Sequence, residues 1–170
     1  MLRIRYELIR FRKDLARYTM SDLRYKHAPS IWSIGQMFDH LILVAEEYLE
    51  EADRCLCGEG ELGGEKTSFG EKLFERGDFP PIKIELPPEM NQPPNNTDSK
   101  DRLRERMTIL ISKMDTLESR LNDADDNRKT LHGGFGWLNA REWFNLIEMH
   151  TRHHRRQQHD LETWLRQKDL

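Results

Sequence analysis

Residues 143–157 read Trp-Phe-Asn-Leu-Ile-Glu-Met-His-Thr-Arg-His-His-Arg-Arg-Gln. At about 100° per residue this is a helix whose single apolar stripe holds Trp143, Ile147, Leu161 and Leu165. His150 and His154 fall in the centre of that stripe, one turn apart, with Gln157 beside them. An imidazole aimed into a core is unusual, because a polar group buried without a partner costs a few kcal/mol. Two imidazoles at i and i+4 reach one metal ion from a single helix face. His153 lies to one side of the stripe and His159 nearly opposite it, so both are expected at the surface.

A partner for this pair is found upstream. Ser33-Ile-Gly-Gln36 is a capping box, with Trp32 and Met37 placed for a hydrophobic staple across the helix start. Ile34, Met37, Phe38, Leu41, Ala45 and Tyr48 then give a core face running to about Leu56. His40 lies at the edge of that face, where it can point toward a neighbouring helix.

Two further helices complete the pattern. Ile4, Leu8, Phe11, Leu15 and Tyr18 repeat at helical spacing from Leu2 to about Met20, before Lys26-His27-Ala28-Pro29 breaks the run. His27 in that connector is expected in solvent. After Asp98-Ser99, the residues Leu103, Met107, Leu110, Met114, Leu117 and Leu121 form a seam of alternating three and four, with no histidine or cysteine on it. Asn122 to Asn127 ends it as a polar loop. Three glycines in His132-Gly-Gly-Phe-Gly136 allow close backbone approach, and His132 itself is a weak candidate for the site. Asn139-Ala-Arg-Glu142 caps the last helix, which runs to about Gln167.

Residues from about 58 to 97 are rich in glycine and proline and cannot hold long regular elements. Lys72-Leu-Phe and Ile82-Lys-Ile are expected as a short helical turn or an extended piece on the surface. A connection of this length suits two consecutive helices that run parallel. The spacing therefore predicts an all-α chain: one domain over 1–170, a four-helix bundle with a long crossover between the second and third helices.

Composition narrows the function classes. The 170 residues are 36% hydrophobic and 34% charged, with mean hydropathy −0.84. No apolar run nears the roughly 20 residues that span a bilayer, and the N-terminus carries no signal-peptide core, so no membrane partner is expected. Cys55 and Cys57 are the only cysteines; they exclude a disulfide framework, suggest the reducing cytoplasm, and read as packing residues. A net charge of −3 argues against a general nucleic-acid binder, and Arg152, Arg155 and Arg156 read as a solvated helix face.

Inward side chains on facing helices are how bundles build metal sites. His40 with His150 and His154 supplies three imidazoles, which leaves a tetrahedral ion one open position. Zinc and nickel suit such nitrogens, and iron or manganese accept them too. Gln157, Glu148 and Glu142 are candidates to steady the ligands from behind. Three unrelated core histidines, each bonded to a carbonyl, would give the same pattern.

Trp32-Ser33 before His40-Leu41, Phe135-Gly-Trp-Leu138 before Glu142-Trp143, and the final His150-x-x-x-His154-x-x-Gln157 together resemble the DinB-like (DinB/YfiT) superfamily. The resemblance runs along nearly the whole chain. It implies an up-up-down-down four-helix bundle, often a homodimer, and three metal-binding histidines that fall on His40, His150 and His154. It also implies a range of activities. Some relatives are metal-dependent transferases using thiols such as bacillithiol or mycothiol, others resemble hydrolases, and many have no known reaction. A metal-dependent thiol transferase acting on an electrophilic small molecule, a hydrolase, and a non-catalytic stress-associated metal binder all remain open. The resemblance assigns no catalytic residue beyond the ligands.

Overall fold

The computed structural model describes residues 2–80 and 93–168. Its helices are α1 (Leu2–Asp14), α2 (Met20–Arg24), α3 (Ile34–Leu56), α4 (Ser68–Arg76), α5 (Lys100–Arg120) and α6 (Ala140–Gln167). Three short strands, β1 (Glu61–Leu62), β2 (Arg128–His132) and β3 (Gly136–Asn139), lie among them. The four long helices pack in a cycle, α1 on α5, α5 on α3, α3 on α6 and α6 on α1. Each stripe read from the sequence is buried between them, from Leu8 and Phe11 on α1 through Phe38 and Leu41 on α3 to Met107 and Leu110 on α5.

The helix starts follow their caps. Ser33 accepts from the backbone N–H of Gln36 while the Gln36 amide oxygen accepts from the N–H of Ser33. Asn139 and Glu142 make the same reciprocal pair at the start of α6. The first helix is shorter than its periodicity predicts. After α1 and one tight turn at Leu15–Arg17, Thr19 opens a capping box with Asp22. That cap needs extended backbone at Thr19 (φ −77°, ψ 169°), so the chain cannot stay helical through it.

The all-α expectation is corrected by the sheet. The fold is mostly helical, with strands in the antiparallel order β1-β2-β3 and Leu138 opposite Thr130. The polar loop ends at Asn127, and the next residues alternate, placing Thr130 and Leu138 inward against Cys55. Gly136 alone of the three clustered glycines has positive φ (82°), and a Cβ there would lie 2.6 Å from the Glu65 carbonyl oxygen. Only glycine lets the hairpin run this close to the crossover.

Within the crossover, Lys72-Leu-Phe belongs to α4, a nine-residue helix capped by Thr67. Ile82-Lys-Ile and Pro87-Pro88 lie outside the described residues. The returning strand is pinned to the start of α3. The Gln36 amide donates to the Pro94 carbonyl (2.9 Å), Ser33 bonds Asn96 (2.5 Å), and the buried Asp39 carboxylate accepts from the Asn95 N–H (2.8 Å). Asp39 also pairs with Arg106 of α5 (2.6 Å). Among the described residues no helix is long and apolar enough to cross a membrane.

Candidate metal centre

α3 and α6 lie side by side, and their facing stripes carry His40 against His150 and His154. The Nε2 atoms of His40 and His150 are 3.2 Å apart, and those of His150 and His154 2.9 Å apart. One nitrogen from each ring lies within 4.8 Å of the others, so the three could hold a metal ion. The spacing fits an ion: nitrogens about 2.0–2.1 Å from a metal stand about 3.3 Å apart at tetrahedral angles and about 2.9 Å at right angles.

The supports around the trio sort the expected helpers. The Gln157 amide oxygen lies 2.6 Å from Nδ1 of His154 and accepts its proton, which leaves the Nε2 lone pair facing the cluster. Glu142 does not serve there, because its carboxylate caps α6 and pairs with Lys66. Glu148 forks onto Arg152 (2.8 and 3.0 Å). The Trp32 ring covers His40 at 4.9 Å, and Phe79 lies 6.1 Å from His150.

Several residues depart from the sequence reading. His153 is half-buried, not exposed: it packs on Phe79 (5.8 Å), and its buried Nδ1 has no hydrogen-bond partner among the described residues. Phe79 returns from the crossover to cover it, which helical phase cannot show. Arg155 is not a solvated charge either. It bonds Glu7 (3.0 Å), Asp14 (2.5 Å) and Gln158 (2.8 Å), with its guanidinium 3.7 Å from the centre of the Phe11 ring. Arg152 and Arg156 both reach Asp78. His159 is exposed as expected, and His27 is exposed but stacks on Trp164 at 5.4 Å. His132 stays outside the trio, stacked on Phe135 at 4.0 Å. Cys55 is buried beside Thr130, while Cys57 is exposed near Arg120. Trp32, Phe79 and Tyr48 were missed as walls of the site; only Tyr48, two turns along α3 from His40, had a signal in the spacing.

Burial sets the charge of the trio. It lowers the His40 pKa to about 4 against the pull of Asp39, and that of His154 to about 3 with the help of His40. His150 falls well below the usual imidazole value, first by burial and then through its histidine neighbours. Without metal, the unfolded chain takes up protons at these rings below pH 6.5, whereas the folded chain resists them until about 4 at His40 and about 3 at His154. Stability of the metal-free protein is therefore present above 6.5 and drains away as the pH falls toward 4. A urea midpoint lower at pH 5 than at pH 7 is expected; a midpoint that held or rose would refute a neutral, buried trio.

The model of the DinB superfamily matches residues 5–158, which takes in α3, α5, most of α1 and α6, and all three histidines of the trio. No curated protein and no solved structure matches the chain closely enough to count as a relative. The match covers most of the sequence, and its histidines meet in the fold as a metal site requires: the chain belongs to the DinB superfamily.

Proposed function

We propose that His40, His150 and His154 bind one divalent metal ion and that the protein is a metal-dependent enzyme transferring a low-molecular-weight thiol to an electrophilic small molecule. The observation that carries the reading is the convergence of three neutral imidazole nitrogens, 2.9 and 3.2 Å apart, from two helices. Zinc or nickel suits the all-nitrogen set best, and iron or manganese is accommodated. When bound, such an ion holds a thiol as its thiolate near neutral pH and so supplies the nucleophile.

The chain's own part is orientation and exclusion of water. Gln157 fixes the tautomer of His154, so that its Nε2 faces that of His150. Trp32 and Phe79 cover the trio with apolar surface, which strengthens electrostatic attraction inside. The four long helices are read as the up-up-down-down bundle of the superfamily, a single domain whose 58–97 segment is the crossover, working as a cytoplasmic homodimer. Their cyclic packing supports that arrangement.

The test loads the protein with zinc or nickel and mixes it with bacillithiol, mycothiol, coenzyme A or glutathione and monochlorobimane. Turnover above background with at least one thiol, lost on removing the metal, is the expected result. No rate with any thiol and metal would overturn the transferase reading and leave a hydrolase or a non-catalytic metal binder.

A further inference from the structure

Three polar-tipped rings from three elements meet next to the histidine trio. Tyr48 of α3, His132 of β2 and Trp143 of α6 have centroids 6.0 Å (Tyr48–His132), 5.5 Å (Tyr48–Trp143) and 5.3 Å (His132–Trp143) apart. Trp143 is 2% exposed, yet among the described residues its indole Nε1 has no hydrogen-bond partner. Neither neighbouring ring accepts that proton. His132 uses Nδ1 to accept the backbone N–H groups of Gly134 (3.0 Å) and Phe135 (3.2 Å), which puts its own proton on Nε2. The cluster thus holds an indole N–H, an imidazole N–H and a phenol O–H, and leaves the first of them unmet. Buried donors in folded proteins nearly always find an acceptor, so an unmet one asks for a ligand.

The surroundings say what sort. Tyr48 lies 6.1 Å from His150, so the cluster adjoins the trio through the Tyr48 ring. Phe79, also against His150, continues at 5.9 Å to Phe135, which stacks flat on His132 at 4.0 Å. These walls are flat and apolar. All three donors are uncharged and give protons, so an oxygen that only accepts suits them, and an ammonium group would leave every donor unmet. Above His132 the hairpin turns through Gly133 and Gly134, both exposed, and a Cβ on Gly133 would meet nothing within 4 Å.

We propose that Tyr48, His132 and Trp143 bind the oxygen end, a carboxylate or carbonyl, of a flat aromatic small-molecule substrate whose reacting end lies at the histidine trio. The placement of the reacting end rests on the metal reading above; the recognition of oxygen does not.

Benzoate is the probe. Four tryptophans give four indole N–H signals in a nitrogen-15 spectrum, and the one lost in Trp143→Phe is that of Trp143. Should this variant not fold, through-space contacts to the Tyr48 ring assign the signal in the wild-type chain. Benzoate is expected to move it downfield more than the other three. Tyr48→Phe keeps the ring and is expected to weaken benzoate about fivefold, the factor one ordinary hydrogen bond supplies. Benzylamine, with the same body and a cationic end, is expected to bind at least tenfold more weakly than benzoate. An unmoved Trp143 signal at saturating benzoate, or equal binding of benzylamine, would overturn the proposal. Metal content is measured on the same samples after incubation with zinc or nickel: a chain that takes up no metal yet binds benzoate as described would sink the metal reading and leave the recognition of oxygen standing.

Discussion

Changing His150 or His154 to alanine is expected to take the purified protein from one metal ion per chain to none detectable. His150 sits between the other two, with its Nε2 2.9 Å from that of His154 and 3.2 Å from that of His40. Losing it leaves two nitrogens that no longer share a neighbour. Gln157→Ala gives the scale for comparison, since it removes only the acceptor behind His154. Loss of such a supporting partner weakens metal by about 10–100-fold. The direct ligands should cost more, giving an ordered series from wild type through Gln157→Ala to the histidine variants. Elemental analysis after gel filtration reads the outcome, and far-ultraviolet circular dichroism checks that the helices persist. A thermal shift adds a second reading, because metal at about 100 times its Kd stabilises a folded binder by about 2.7 kcal/mol. That shift should vanish in both histidine variants. Full metal retention in both would refute the ligand assignment.

The largest expected loss of stability comes from Asp39→Ala. Asp39 is 2% exposed, and its carboxylate joins three segments: its own helix α3, Arg106 on α5 and the backbone of Asn95 where the crossover returns. Truncating one member of a buried ion pair costs about 3–5 kcal/mol, because the partner charge is left uncompensated. Arg106 keeps Asp98 at 2.7 Å, which argues for the low end, about 3 kcal/mol. In a domain of this size that lowers the melting temperature by about 6–12 °C. Asp39→Asn retains an acceptor for Asn95 and should fall between. Metal stoichiometry should stay at one in both, since Asp39 touches none of the three Nε2 atoms. A melting temperature equal to that of the wild type would show that the crossover is not anchored here.

The four long helices and the three histidines were legible because they rest on short-range rules. Stripes such as Leu103-Met107-Leu110-Met114 encode which face is buried, and the Ser33–Gln36 and Asn139–Glu142 boxes encode where helices begin. His150 and His154 could be read as a pair because one helical turn fixes their distance. What escaped had weaker local signals. The Thr19–Asp22 box was hidden by a stripe that ran through it, and the β2–β3 hairpin by glycines that read only as freedom. Arg155 looked solvated because its partners Glu7 and Asp14 stand some 140 residues earlier.

The sequence by itself determined the helical framework, the polarity of each helix face and the three imidazoles, since periodicity and capping depend on residues a few positions apart. Only the tertiary structure decided that His40 reaches His150, and that Trp32, Phe79 and Tyr48 form the walls around them. It alone placed Asp39 between α5 and the returning crossover, and left the Trp143 indole without an acceptor among the described residues. Those facts depend on how α3, α6, the hairpin and the crossover approach one another. That approach is set by the packing of whole faces, which no local spacing records.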